Sequence, residues 1–206
     1  ADKLGIPAST AITCVKPSGT VSQLVDCSSG IHPRYSKYYI RTVRASANDP
    51  ISKMLEAEGF PVEVDVTNPL NRVFSFPIKA PDNTVTAREV GAIEQLKLWK
   101  IYQDHWCEHK PSITVYYTDD EFLGMMQWVW DNFDDISGIS FLPHSDHTYK
   151  QAPYQEIDKE TYEVLAAKLP DIDWSRLSEF EIEDTTENTK ELACSAGGFC
   201  EIVDLV

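Results

Sequence analysis

The sequence predicts an α/β fold. Three observations carry that prediction: short runs rich in aromatic and β-branched residues, helical stretches with capping signals between them, and Gly/Ser/Pro loops at their junctions. Residues 10–15 and Tyr38-Tyr39-Ile40-Arg41-Thr42-Val43-Arg44 read as the first two strands. A helix begins at Asp49-Pro50, where Asp49 serves as the cap and Pro50 suits the first helical position, and Gly59 stops it. Val62 to Val66 and Arg72 to Ile78 read as short strands around the turn-forming Asn68-Pro69. The longest helix is predicted over Ala87 to Trp106, opened by the capping box Thr86-x-x-Glu89 and carrying Val90, Ile93, Leu96 and Ile101 at helical spacing. Pro111 ends that connection, and Ile113 to Tyr117 makes a strand. Thr118-x-x-Glu121 is a second capping box, opening a helix that reaches about Asn132. Gly138 to Leu142 reads as another strand, and Asp158 opens a last helix that ends near Leu169-Pro170.

Composition narrows the function classes. With 42% hydrophobic and 25% charged residues, the 206-residue chain has enough apolar material for a core, as one domain or a large piece of one. No linker signal precedes about residue 184, so 1–183 is expected to form one section and 184–206 a flexible tail. No apolar run approaches the length of a transmembrane helix, and no secretory leader is visible. The chain opens at Ala1 without an initiator Met, so it is expected to be processed, excised or one part of a split protein. Net charge is −15, and residues 151–206 alone contribute −10 with fourteen acids and four bases. That sign disfavours direct nucleic-acid binding. Five cysteines, an odd count, argue against a disulfide framework and for a reducing, cytoplasmic location.

Two segments carry chemistry. The apolar stretch Thr10 to Val15 stops at Lys16-Pro17-Ser18-Gly19-Thr20-Val21-Ser22. Such a loop offers backbone N–H donors and the Ser18, Thr20 and Ser22 hydroxyls to one small anion, the chemistry of a phosphate cradle. It is not a Walker A loop, which needs two glycines bracketing four residues before Lys-Ser/Thr. Nor do the Ser-x-x-Lys and Ser-Asp-Asn words that would accompany a β-lactamase reading occur. An ordinary strand-to-helix turn fits the same residues. The second segment is Cys194-Ser195-Ala196-Gly197-Gly198-Phe199-Cys200, two thiols across a Gly-Gly that lets the backbone bend until the sulfurs meet. Two spare thiols on a frayed end is the plainer reading.

The remaining residues of interest read as structural. Cys14 is expected in a buried strand as a small apolar side chain, and Cys27 is expected to serve a structural turn. His105-x-Cys107-x-His109 disperses its side chains around a helix, so no metal site is expected there. His144 and His147 flank the loop after the 138–142 strand, where sites often form in α/β folds. Arg34, Arg41 and Arg44 form the densest basic cluster, suited to local ion pairs, a nucleotide or a partner chain.

The Lys16 to Ser22 loop, Cys27-Ser28-Ser29-Gly30-Ile31-His32-Pro33-Arg34-Tyr35, Pro111 to Val115, Gly138 to Pro143 and Gln151-Ala152-Pro153 together resemble the C-terminal part of adenosylcobalamin-dependent (class II) ribonucleotide reductase. The resemblance runs from about Thr10 to Cys200. It implies the C-terminal portion of a ten-stranded α/β barrel with a flexible tail. It also implies that Ser18, Gly19, Thr20, Val21 and Ser22 hold the phosphates of a ribonucleotide substrate. Cys194 and Cys200 would carry electrons from a thioredoxin-type donor to an active-site disulfide, although five residues separate them where the family's tails have four. The family's radical cysteine sits in an Asn-Pro-Cys-Gly-Glu word that is absent here. The chain is therefore expected to be inactive alone and to work with a complementary N-terminal reductase chain or segment, which would bind most of the adenosylcobalamin. The alternative class is a non-catalytic nucleotide- or phosphate-binding module with a regulatory dithiol.

Overall fold

The computed structural model describes residues 1–144 and 149–181. Cys194, Cys200 and His147 lie outside the described residues. The elements are α1 (Val21–Leu24), β1 (Tyr38–Ser46), α2 (Pro50–Ala57), β2 (Val62–Val64), β3 (Asn71–Lys79), α3 (Ala92–His105), β4 (Thr114–Tyr117), α4 (Phe122–Asp131), β5 (Ser140–Pro143), β6 (Tyr154–Glu156), α5 (Lys159–Ala166) and α6 (Leu177–Phe180). They fall into two compact units: 1–37 with 80–144, and 38–79 with 149–181.

In the first unit the α/β reading is realised with parallel geometry. β4 and β5 pair in parallel from Thr114↔Ser140 to Tyr117↔Pro143, connected through α4. The opposite edge of β4 is closed by other groups. Ser112 N–H donates to the Val15 carbonyl at 3.0 Å, Thr114 N–H to His32 Nε2 at 2.9 Å, and Tyr116 exchanges bonds with the Gln95 amide at 3.0 and 3.1 Å. The core beneath is Ile31, Leu96, Trp99, Ile113, Val115 and Met125. Trp99 is fully buried, and its indole N–H donates to the Pro111 carbonyl at 3.1 Å, which satisfies its one polar atom.

The second unit is an antiparallel sheet in the order β2-β3-β1-β6. β1 and β3 pair along nine residues each, from Tyr38↔Lys79 to Ser46↔Asn71. Phe60, Phe74 and Leu55 form the core, with the Phe60 and Phe76 rings 4.8 Å apart. The Asp49 carboxylate accepts from Ile51 N–H, and Gly59 ends the connection at φ +78°, both as the sequence predicts. Gln151, at φ +59°, ties this unit together. Its amide donates to Glu63 and to the Val64 carbonyl, its amide oxygen accepts from Val66 N–H, and its backbone carbonyl accepts from Arg44. The Gln151-Ala152-Pro153 word therefore has a structural reason.

Several elements differ from expectation. Residues 10–15 form no strand: the Glu108 carboxylate takes the N–H groups of Ile12 and Thr13 that a neighbouring strand would engage. The long helix begins at Ala92, not near Ala87. The Thr86–Glu89 box forms, yet Ala87 N–H is held by the Arg34 carbonyl and Gly91 adopts an extended ψ of 160°, so the turn does not propagate. β6 and α6 carried too little pattern to be predicted. Both are short, three and four residues.

Candidate functional site

The Ser18–Ser22 loop is braced from within. Ser29 Oγ accepts from Ser18 N–H at 2.7 Å and donates to the Ser18 carbonyl at 2.9 Å. Ser22, buried, donates its hydroxyl to the same carbonyl at 2.8 Å, while its N–H donates to Ser18 Oγ at 3.0 Å. Of the three hydroxyls the sequence offers to an anion, that of Ser22 is thus committed to the loop. Ser18 Oγ keeps its proton for a further acceptor. Gly19, Thr20 and Val21 form the exposed crest, and the N–H groups of Thr20 and Val21 meet no acceptor among the described residues. Unpaired N–H groups on an exposed, braced turn are what a phosphate oxygen requires.

The turn that follows sets the loop's position. Gly30 sits at φ +60°, and a Cβ there would lie 2.9 Å from the Lys16 carbonyl oxygen, so only glycine permits this approach. His32 Nδ1 lies 2.8 Å from the Ser29 carbonyl, to which it donates, and Nε2 accepts from Thr114 N–H. Both ring nitrogens are used by the neutral form, and burial lowers the imidazole pKa below its ordinary value, outweighing the Ser29 bond. Lys16, adjacent to the loop, points elsewhere: its ammonium donates to the Lys110 carbonyl at 2.8 Å and to Ser112 Oγ at 3.0 Å.

Beside this turn lies a cavity of about 450 Å³, lined by Cys27, Ile31, His32, Arg34, Gln95 and Leu98 among others. Arg34 is buried, bonded to the Cys27 carbonyl at 2.6 Å and paired with Asp26, and its Nε has no partner among the described residues. The other two arginines of the basic cluster also have local partners. Arg44 pairs with buried Asp65 at 3.2 Å, and Arg41 lies 4.6 Å over the Tyr154 ring. Cys27 is exposed, Cys14 is half-buried, and His144 stacks on Tyr116. Sequence reasoning missed Ser29 and His32 as braces of the loop. Both stand in the Cys27 to Tyr35 word, but neither residue type signals a brace without knowledge of what lies opposite.

No protein-family model matches the chain. Individual proteins do. It is 34% identical over 89% of its length to a protein of Dictyostelium discoideum described as a probable adenosylcobalamin-dependent ribonucleoside-triphosphate reductase, covering 25% of that relative. It is 32% identical over 93% of its length to the adenosylcobalamin-dependent ribonucleoside-triphosphate reductase of Euglena gracilis, covering 26% of it. The crystal structure of a B12-dependent (class II) ribonucleotide reductase matches with a TM-score of 0.68 at 30% identity, over 81% of this chain and 24% of that one. The chain belongs to the adenosylcobalamin-dependent ribonucleotide reductases. It spans about a quarter of the length of the curated relatives it matches. The reductase family implies the cobalamin cofactor, and the described residues do not fit it on their own. A cavity of about 450 Å³ is sized for a small molecule, not for a corrinoid carrying a nucleoside. No group of three His, Cys, Asp or Glu side chains among them could hold a metal. No helix among the described residues of this reductase segment is long and apolar enough to cross a membrane.

Proposed function

We propose that this chain is the C-terminal section of a class II ribonucleotide reductase. In this reading it supplies the last part of a ten-stranded α/β barrel, the substrate-phosphate loop and the tail dithiol. Support comes chiefly from one observation: the Ser18–Ser22 loop is internally braced by Ser29, and the N–H groups of the exposed residues Thr20 and Val21 meet no acceptor among the described residues. A rigid donor array lowers the cost of fixing a nucleotide for chemistry. Ser18, Gly19, Thr20 and Val21 would contact the phosphates of a ribonucleoside triphosphate. Ser22 would act by holding the Ser18 peptide in place. Cys194 and Cys200 would reduce the active-site disulfide by thiol–disulfide exchange and be re-reduced by a thioredoxin-type donor. The remainder of the reductase would bind adenosylcobalamin, whose contribution is radical generation. The compartment would be the reducing cytoplasm.

The test is deoxyribonucleotide formation when this chain is mixed with the complementary N-terminal segment, adenosylcobalamin, a ribonucleoside triphosphate and a dithiol. Product is expected from the mixture and none from this chain alone. Ser18→Ala combined with Thr20→Ala should abolish it, and Cys194→Ser should leave a single turnover intact while blocking multiple turnovers with thioredoxin. Turnover by the isolated chain would overturn its reading as a section inactive alone, and wild-type behaviour of both variants would overturn the loop and tail assignments. No product from the folded mixture would leave the phosphate-binding module with a regulatory dithiol as the better reading.

A further inference from the structure

Residues 13–15 run alongside 106–112, and this brings two thiols together that are far apart in sequence. The Thr13 carbonyl accepts from Glu108 and His109 N–H at 3.0 and 3.3 Å, and Thr13 Oγ1 donates to the Trp106 carbonyl. Cys14 follows Thr13 and Cys107 precedes Glu108, so the two cysteines are neighbours across the paired segments. Burial first, and the neighbouring Cys14 thiol with it, push the Cys107 thiol above its ordinary pKa, so the two thiols sense one another across the paired segments. Cys14 also donates to the Lys110 carbonyl at 3.0 Å. Both cysteines are reduced in the structure.

We propose that Cys14 and Cys107 form a second dithiol–disulfide couple, closed reversibly by a small-molecule disulfide. The positions divide the roles. Cys14 is half-buried and reachable, whereas Cys107 is only 8% exposed. Burial also pushes the Cys107 thiol above its ordinary pKa, which makes it the poorer first nucleophile. Cys14 thiolate attacks one sulfur of the small disulfide, forming a mixed disulfide and releasing one small thiolate. Cys107 thiolate then attacks the Cys14 sulfur, forming the Cys14–Cys107 bond and releasing the second. The two protein thiols lose two electrons, the small disulfide gains them, and the two thiol protons pass to the two leaving thiolates. Closure needs the two sulfurs, on neighbouring residues of the paired segments, to approach to bonding distance, about 2 Å. It would cross-link the segment leading into the Ser18–Ser22 loop to the residues that follow α3.

The couple rests on its own geometry and not on what the loop binds. Its test uses the full chain with Cys27→Ser, Cys194→Ser and Cys200→Ser, which retains two thiols. After native incubation with oxidised glutathione, both thiols are expected to disappear together. A Cys14–Cys107 cross-linked peptide should appear, without bound glutathione, and dithiothreitol should reverse it. Two surviving thiols, or a reaction that stops at glutathionylated Cys14, would overturn the proposal. Should that variant fail to fold, the same peptide is sought in the wild-type chain. There Cys107→Ser is expected to trap the mixed disulfide on Cys14, and pairing of Cys14 with Cys27 instead would overturn the proposal. Neither readout involves nucleotide, so failure here leaves the loop reading standing, and failure of the loop reading leaves the couple standing.

Discussion

Ser29 serves both backbone groups of Ser18 with one oxygen. Ser29→Ala leaves the part-buried Ser18 N–H unpaired and its carbonyl with the Ser22 hydroxyl alone, and should lower stability by about 1–3 kcal/mol in urea titration. Gly30→Ala should cost about as much or more, ~1–3 kcal/mol, because it adds left-handed strain to a contact with the Lys16 backbone. His32 gives a pH signature. Its folded pKa lies below the unfolded value, so the unfolded chain takes up a proton that the folded chain refuses. Stability is complete above about pH 6.5 and falls as pH drops through the lowered folded value. Urea midpoints from pH 7.5 to 5 should show this decline, and His32→Gln should flatten it relative to wild type.

Elements in this protein are fixed at their ends. Glu121 closes two helices at once: one oxygen accepts from Thr118 N–H and hydroxyl, and the other accepts from Ala92 N–H, the first residue of α3. These bonds hold its carboxyl below the usual range, against the opposing effect of its own burial. Glu121→Ala is expected to lower the thermal midpoint by removing both caps, a loss of about 1–2 kcal/mol. The same contrast explains what was legible in the sequence. Asp49-Pro50 with Gly59, and Thr118 with Glu121, are local signals, and both read correctly because the partners lie within a few residues. Thr86–Glu89 is equally local and forms, yet it misplaces the helix start, since Arg34 restrains the next residue from a distant loop. The loop at 18–22 was visible as a word. Its braces were not, because Ser29, His32 and Thr114 acquire their roles only when three separate segments meet.

At the scale of the molecule, the two units use opposite sheet geometries. The unit that carries the candidate phosphate loop holds the parallel pair, and an antiparallel sheet clipped by Gln151 forms the other unit. Gln151→Ala should therefore reduce stability without altering product formation per folded, reconstituted molecule, as measured by comparing deoxyribonucleotide yield with the folded fraction. The negative charge of the chain calls for local donors at any nucleotide site, and under the proposed function the Thr20 and Val21 N–H groups would meet that requirement without a cationic side chain.

The β4–β5 pair leaves a further mark on how this polypeptide behaves. Its β4 side is sealed by Val15, His32 and Gln95, whereas β5 has a neighbour on one flank only among the described residues. An unpaired flank is a template, ready to accept whatever extended segment arrives first. On its own at high concentration the polypeptide should self-associate through that flank. Under the proposed function, co-expression with a complementary reductase segment is expected to suppress this more than refolding does, which gel filtration of the two preparations checks.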